Sequence, residues 1–441
     1  MKRPTTEASQ TPEALWTHLS QARWFASKGR GATPGRLWRL DWFARSEQLA
    51  VRPALVEACL PPQEGCQSQT EIYLVLLAHR REQRPGWLWT DADEPEAPQQ
   101  VHDAFADPEA LRLVIDRLAA AGETPTWAAA RARPVDLSGE LKVFGGEQSN
   151  TSVMVGDTAM VKFFRRLEQG ANLDIAVHDA LGRAGVTSVA RLHGWLTSTP
   201  CDGIPGPYDL AMIVQQLPQA VDGWKVATES VREGQDFSSD ARALGEALAE
   251  VHRALVDTFP AASLPTDDVA EVMARRLEAA MEEAPVLAEL ADGLRELFST
   301  IRGRGIPAQR IHGDFHLGQT LDTAQGWRII DFEGEPIKTL AERRLPDSPW
   351  RDVAGMLRSL GYATSAAENP TAPNVQDWLK RAQDAFMQGY LTVSGRALSA
   401  ADEALLHAYV ADKAVYEVVY ETRNRPDWVT IPLGALQALV R

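Results

Sequence analysis

The stretch Arg310-Ile-His-Gly-Asp-Phe-His-Leu-Gly-Gln319, followed by Ile329-Ile-Asp-Phe-Glu333, constrains this chain more than any other feature. It sets a carboxylate, Asp314, in a Gly-containing loop, an amide, Gln319, five residues on, and a second carboxylate, Asp331, seventeen residues on. Phosphoryl transfer from a nucleotide needs these parts: one carboxylate to orient and deprotonate a hydroxyl, and a second, with an amide, to hold magnesium against the phosphates. Ile329-Ile330 reads as a short buried strand that delivers Asp331 to a cleft. A lone Asp is as readily a turn or N-cap residue. The full set at this spacing is not explained that way, and it implies a kinase of small molecules.

Composition narrows the acceptor. A net charge of −15, from 45 basic and 60 acidic residues, repels nucleic acid. No apolar run approaches the ~20 residues that a bilayer span requires. The opening Met1-Lys-Arg-Pro-Thr-Thr-Glu lacks the apolar core of a signal peptide, so the expected location is the cytoplasm. Cys59, Cys66 and Cys201 have no metal-ligand spacing and read as reduced thiols.

The 441 residues suffice for two or three domains. Runs at 37–43, 50–60, 70–79 and 85–90, bounded by Gly, Pro and polar clusters, predict a small sheet. A helix over 107–121 follows, with Asp107 as N-cap and Pro108 in its first turn. The segment 122–134, with two prolines and a run of alanines, reads as a linker. Trp24 and Phe25, with Lys28 and Arg30, could form a site, although such aromatics near a terminus are more often core.

From Glu140 the pattern is that of a nucleotide-binding lobe. A strand (141–144), a polar loop (145–152) and a returning strand (153–155) lead into Ala159-Met-Val-Lys-Phe-Phe164. Such a loop drapes backbone N–H groups over phosphates while the lysine, Lys162, reaches them. The loop alone is weak evidence, but a lysine in an apolar strand needs an anionic partner. A helix is expected over 172–184 and strands over 188–196 and 208–216. Gln215-Gln-Leu-Pro218 then falls where a hinge would place the backbone of Gln216 and Leu217 at an adenine edge. The remainder predicts helices over 239–256, 267–301, 347–360, 375–392 and 399–424, the last opened by a capping box of Ser399 and Asp402.

Over residues 140–441 the chain resembles the maltokinases, of the aminoglycoside-phosphotransferase-like superfamily. The likeness is dense at Gly146-Glu-Gln-Ser-Asn-Thr-Ser152, at Val161–Glu168, at Ile311–Gln319 with Ile330–Pro336, and at Asp412-Lys-Ala-Val-Tyr-Glu-Val-Val-Tyr-Glu-Thr-Arg-Asn-Arg-Pro-Asp-Trp428. His-Gly-Asp-x-His is shared across the superfamily, whereas Asp-Phe-Glu-Gly-Glu-Pro and the C-terminal segment are more particular. The resemblance implies an α+β, bilobal protein-kinase-like fold with a small β-rich N-lobe and a helical C-lobe, preceded by a small N-terminal cap domain. Domains are accordingly expected at 1–135, 136–218 and 219–441.

It also implies roles. Asp314 corresponds to the catalytic carboxylate and His312 to the residue bracing its loop. Gln319 and Asp331 correspond to the Mg2+ pair, and Lys162 to the lysine on the ATP phosphates. The loop with Gln148, Ser149, Asn150 and Thr151 would cover those phosphates. His316, Tyr416, Tyr420, Glu421, Arg423 and Trp428 would form the sugar side. On spacing alone, a packed helix with its tyrosines inward is the simpler reading of that last group. One position departs from the family: Ala176 stands where a glutamate normally pairs with the lysine. Lys162 is therefore expected to be placed by nucleotide, with at most a weak pairing to Asp179.

The implied activity is ATP- and Mg2+-dependent phosphorylation of maltose at its anomeric hydroxyl, feeding glycogen or α-glucan synthesis, by a monomer or weak homo-oligomer. A kinase of another sugar, such as glucosamine, would share every phosphate-handling residue. An aminoglycoside or choline kinase, and a non-catalytic kinase-like binding module, are the remaining alternatives.

Overall fold

A computed structural model describes residues 8–62, 69–145, 149–200, 203–204, 206–335 and 338–440. The chain divides into two compact units, Met1–Asp179 with Arg191–Pro218 and Ala180–Ala190 with Gln219–Arg441.

The first unit carries two antiparallel sheets. Among the described residues one has eight strands, built around Leu49–Cys59 and Thr70–Arg80. Both central strands are buried almost throughout, so both faces must be covered. Leu15 and Leu19 of the helix Glu13–Gln21 join Phe25, Val56 and Tyr73 in a core cluster. The helix Pro108–Ala120 also packs on Leu49–Cys59. Asp107 caps that helix, accepting the Ala110 N–H, and Arg80 clamps the same carboxylate in two 2.6 Å hydrogen bonds.

The second sheet runs in the order Leu141–Val143, Thr151–Val155, Ala159–Phe163, Asp209–Gln215, Leu192–Ser198, Trp127–Arg131 and Gly122–Glu123. Its last two strands lie in the segment expected to be a linker. The strand Trp127–Arg131 approaches Leu192–Ser198 closely at Gly194, where a Cβ would lie 2.4 Å from the Ala130 carbonyl oxygen. Trp127 is fully buried and donates its indole N–H to the Asp41 carbonyl. The exchange also runs the other way, for Arg166–Leu167 pairs with Thr70–Arg80. Both sheets lie within the one compact unit Met1–Asp179 with Arg191–Pro218.

The second unit is mainly helical. The helices Ser238–Thr258 and Pro373–Ser394 approach closely at Gly245, where a Cβ would lie 2.1 Å from the Phe386 carbonyl oxygen. The single helix expected over 267–301 is broken into Thr266–Glu283, a 3-10 turn at Pro285–Leu290 and Ala291–Ser299. Pro285 cannot donate to the preceding turn and its ring clashes with a carbonyl there. Three further helices, Gly223–Glu233, Leu340–Arg343 and Thr430–Leu439, have no counterpart among those expected. A small sheet of Val221–Asp222, Thr320–Asp322 and Arg328–Ile329 supports the loop discussed next. No helix among the described residues is long and apolar enough to cross a membrane.

Candidate active site

The loop 311–316 is held by a carboxylate that sequence reasoning overlooked. Asp352, in the first turn of the helix Pro349–Ala363, accepts the N–H of His312 at 2.7 Å and of Gly313 at 2.9 Å. It lies 3.0 Å from His252 Nε2, and the other ring nitrogen of His252 meets the Tyr390 hydroxyl at 3.0 Å. Burial opposes ionisation of Asp352, but the His252 hydrogen bond and the loop N–H groups outweigh it and depress its pKa. Gly313 adopts a φ of 87°, and a Cβ there would lie 3.4 Å from the Gly334 Cα.

His312 is the brace. Its Nε2 donates to the Ile330 carbonyl at 2.9 Å, which leaves Nδ1 to accept the Asp314 N–H at 3.3 Å. One buried ring thus ties the Asp314 loop to the strand end carrying Asp331. Asp331 itself has a φ of 67°, a left-handed conformation that costs a non-glycine residue about 1–3 kcal/mol and clusters at functional sites.

Gln319 Nε2 lies 3.5 Å from Asp331 Oδ2, and the Gln319 carbonyl accepts the Ile330 N–H. An amide oxygen and a carboxylate on facing segments are hard donors suited to magnesium. The pair fits the ion once the amide turns its oxygen inward. His316 Nδ1 accepts the Gly318 N–H and so caps the 3-10 turn that presents Gln319; its Nε2 is 3.9 Å from Asp314. Burial holds its pKa down, against the pull of Asp314.

A cavity of about 440 Å³ opens beside Asp314, and Glu335, Lys413, Tyr416 and Arg423 are among its lining residues. Lys413 Nζ is 3.5 Å from Asp314 and 3.9 Å from Glu335. Glu335 is fixed by Arg351 at 2.7 Å, and its carboxyl is held low by Arg351 and Lys413 despite burial. Of the residues expected on the sugar side, Tyr416 and Arg423 line this space. Tyr420 is exposed and stacks on Tyr416 at 6.4 Å. Trp428 is not among the lining residues and lies under Arg425 at 4.6 Å. Glu421 is not a lining residue either: it is buried, bonded to Arg425 at 2.8 Å and to the Tyr362 hydroxyl at 3.4 Å. On a helix, i and i+4 place the tyrosines on one stripe and the glutamates on the next, and only the fold decides which stripe turns inward.

In the first unit, Lys162 projects from Ala159–Phe163 and pairs with Asp174 at 3.0 Å. This overturns the expectation of a lysine placed mainly by nucleotide. The acid that meets it here is Asp174, in the first turn of the helix Leu173–Arg183. Asn172 Oδ1 accepts the N–H groups of Asp174 and Ile175, fixing that turn. Asp174 is buried, which alone would neutralise it, but Lys162 and His178, whose Nδ1 is 3.0 Å away, hold its pKa well below the usual range.

Asn150 and Thr151 accept hydrogen bonds from the Arg165 N–H and Nε, and Ser149 is exposed. Gln148 lies outside the described residues. At the expected hinge, the Gln216 N–H already donates to the Thr158 carbonyl. That donor is therefore not free for a base, and Leu217 follows it.

A model of the phosphotransferase enzyme family matches residues 140–372. The chain is 32% identical over 316 residues to a glucosamine kinase of Mycolicibacterium smegmatis, covering 67% of this chain and 78% of that one. It is 31% identical over 314 residues to a glucosamine kinase of Streptacidiphilus jiangxiensis, covering 65% and 70%. A solved glucosamine kinase in complex with glucosamine, ADP and inorganic phosphate superposes with a TM-score of 0.70 over 96% of this chain and 98% of the other, at 24% identity. The fold is therefore the α+β, kinase-like one, with a sheet-rich part and a helical part.

Proposed function

This chain belongs to the phosphotransferase enzyme family, and on that premise we propose that it transfers the γ-phosphoryl group of ATP to the anomeric hydroxyl of maltose. The observation that carries the reading is Asp314, braced by His312 and Asp352 and opening onto a cavity with Tyr416 on its wall. An ionised carboxylate held by its own backbone can take a hydroxyl proton as that oxygen attacks phosphorus. Lys162, already oriented by Asp174, is assigned to the ATP phosphates. Gln319 and Asp331 would hold Mg2+, which when bound neutralises phosphate charge. The half-exposed face of Tyr416 suits a pyranose ring. Maltose rather than another sugar is supported by the maltokinase-type segments Asp331–Pro336 and Asp412–Trp428.

A second acceptor, glucosamine, is favoured by one finding: the two curated relatives above are both glucosamine kinases. ADP release measured with MgATP and each sugar separates the two. Maltose turnover should exceed that of glucosamine, and phosphorus-coupled NMR should place the phosphate on the anomeric carbon. A product that still reduces copper, or turnover of glucosamine alone, would overturn the assignment.

A further inference from the structure

Lys413 is the cation nearest the catalytic carboxylate among the described residues of the second unit, and its geometry is unfinished. An ammonium has three donors. Here it faces Asp314 at 3.5 Å and Glu335 at 3.9 Å, both beyond the 2.7–3.2 Å of a well-formed N–H···O bond. It also lies 5.6 Å from the Tyr416 ring centroid. All four groups line the cavity. Both gaps are longer than a well-formed bond and suit an oxygen shared between the partners.

We infer that Lys413 is a further catalytic residue, whose ammonium binds the reacting hydroxyl oxygen of the acceptor opposite Asp314. The inference rests on the sugar-kinase reading above. In the step, Asp314 accepts the hydroxyl proton and the oxygen forms its bond to the γ-phosphorus. The bond from that phosphorus to the bridging oxygen breaks, and its electron pair leaves with ADP. Lys413 keeps its protons and stabilises the charge that develops on the attacking oxygen. The groups facing Lys413 are Asp314, Glu335, Glu417, Arg351 and Tyr416. Burial works against its charge, but the three carboxylates prevail and keep it protonated.

A specificity follows. Glu335, on the far side of Lys413, is placed to take the hydroxyl next to the reacting one. An ammonium at that neighbouring carbon would meet the Glu335 carboxylate and the Lys413 cation together, so replacing Lys413 with a carboxylate shifts the site toward amino sugars.

The test uses the full chain with Lys413→Met, Lys413→Arg and Lys413→Glu, MgATP, and whichever of maltose or glucosamine the wild type turns over. A wild type that ignores maltose sinks the sugar assignment and leaves Lys413 to be judged on glucosamine. Lys413→Met should lose about 10²–10³ in kcat, the cost of removing one donor to a developing oxyanion. Lys413→Arg should recover at least about tenfold of the loss, and Lys413→Glu should raise the glucosamine-to-maltose ratio of kcat/KM by about tenfold or more. Lys413→Met within about threefold of wild type overturns the inference. So does equal impairment of the Met and Arg variants with a matching fall in melting temperature, since that marks a packing role.

Discussion

A carboxylate that must take a proton from a mobile substrate works best when something else fixes its direction. Asp314 has that support in its own N–H, held by His312, and in the two N–H groups before it, held by Asp352. Asp314→Asn preserves these backbone bonds and removes the base. We expect kcat to fall by about 10²–10⁴ with the melting temperature nearly unchanged. Near-normal turnover at saturating substrate would remove Asp314 from the mechanism. Asp352→Asn should behave differently, lowering both stability and kcat, because His252 and the loop N–H groups lose a shared anion. At Lys162 the residue scale corrects the sequence. A missing glutamate at 176 suggested a loosely held lysine, yet Asp174, one turn-start earlier, reaches it at 3.0 Å. The signal was present in Asn172 as an N-cap, which fixes where the helix begins and which acid its first turn presents. Asp174→Asn is expected to cost about 1–3 kcal/mol by removing a buried carboxylate beside the Lys162 ammonium, and to raise KM for ATP. Ala176→Glu should change little, since the pair already exists. A stable, fully active Asp174→Asn in a thermal-melt and steady-state assay would refute this.

The helix Ala400–Asn424 shows what an element can hide. Its start was legible, because Ser399 and Asp402 form both halves of the capping box. Its two functional stripes were not. Tyr416 and Tyr420 are each 45% exposed, while Glu417 and Glu421 turn inward to Arg358 and Tyr362 of the helix Pro349–Ala363. Burial raises the pKa of Glu417 even though Arg358 bonds it at 2.6 Å. Glutamates on a Tyr-Glu-x-x-Tyr-Glu pattern look like surface residues until a buried arginine supplies their partner. The consequence is a split between neighbours. Tyr416→Ala should raise KM for the sugar and leave the fold intact. Glu421→Ala should lower stability by about 1–3 kcal/mol through the unpaired Tyr362 and Arg425, with a smaller effect on KM. Equal sugar KM effects from both, at unchanged melting temperatures, would place Glu421 at the sugar after all.

At the scale of the molecule, strand placement was readable from runs bounded by Gly, Pro and polar clusters, but the strand at Trp127–Arg131 was not. The alanine-rich segment after Gly122 has the composition of a linker, yet Trp127–Arg131 pairs along Leu192–Ser198, where Gly194 admits the Ala130 carbonyl. The exchange of Trp127–Arg131 and Arg166–Leu167 between the two sheets makes them one compact unit. Such a unit should lose its structure cooperatively, so a weak point in either sheet is a weak point of both. His79, in the strand Thr70–Arg80, is that point in acid. Its ring is fully buried against Trp42; Nδ1 donates to the Pro98 carbonyl at 3.2 Å, and Nε2 has no partner among the described residues. Burial, aided by Arg52, pushes its pKa down to about 3 from an ordinary value of 6.5. The unfolded chain therefore binds this proton first as pH falls. Stability is untouched above about pH 6.5, and between there and about pH 3 it drops by ~1.4 kcal/mol per pH unit on account of this group. His79→Gln can keep the donor to Pro98 and abolishes the titration. In urea melts followed by tryptophan fluorescence, the variant should match or fall below the wild type at neutral pH and gain on it steadily as the buffer is taken from about pH 6 to 4. Parallel pH profiles for the two proteins would mean that the ring is already solvated and charged in the folded state.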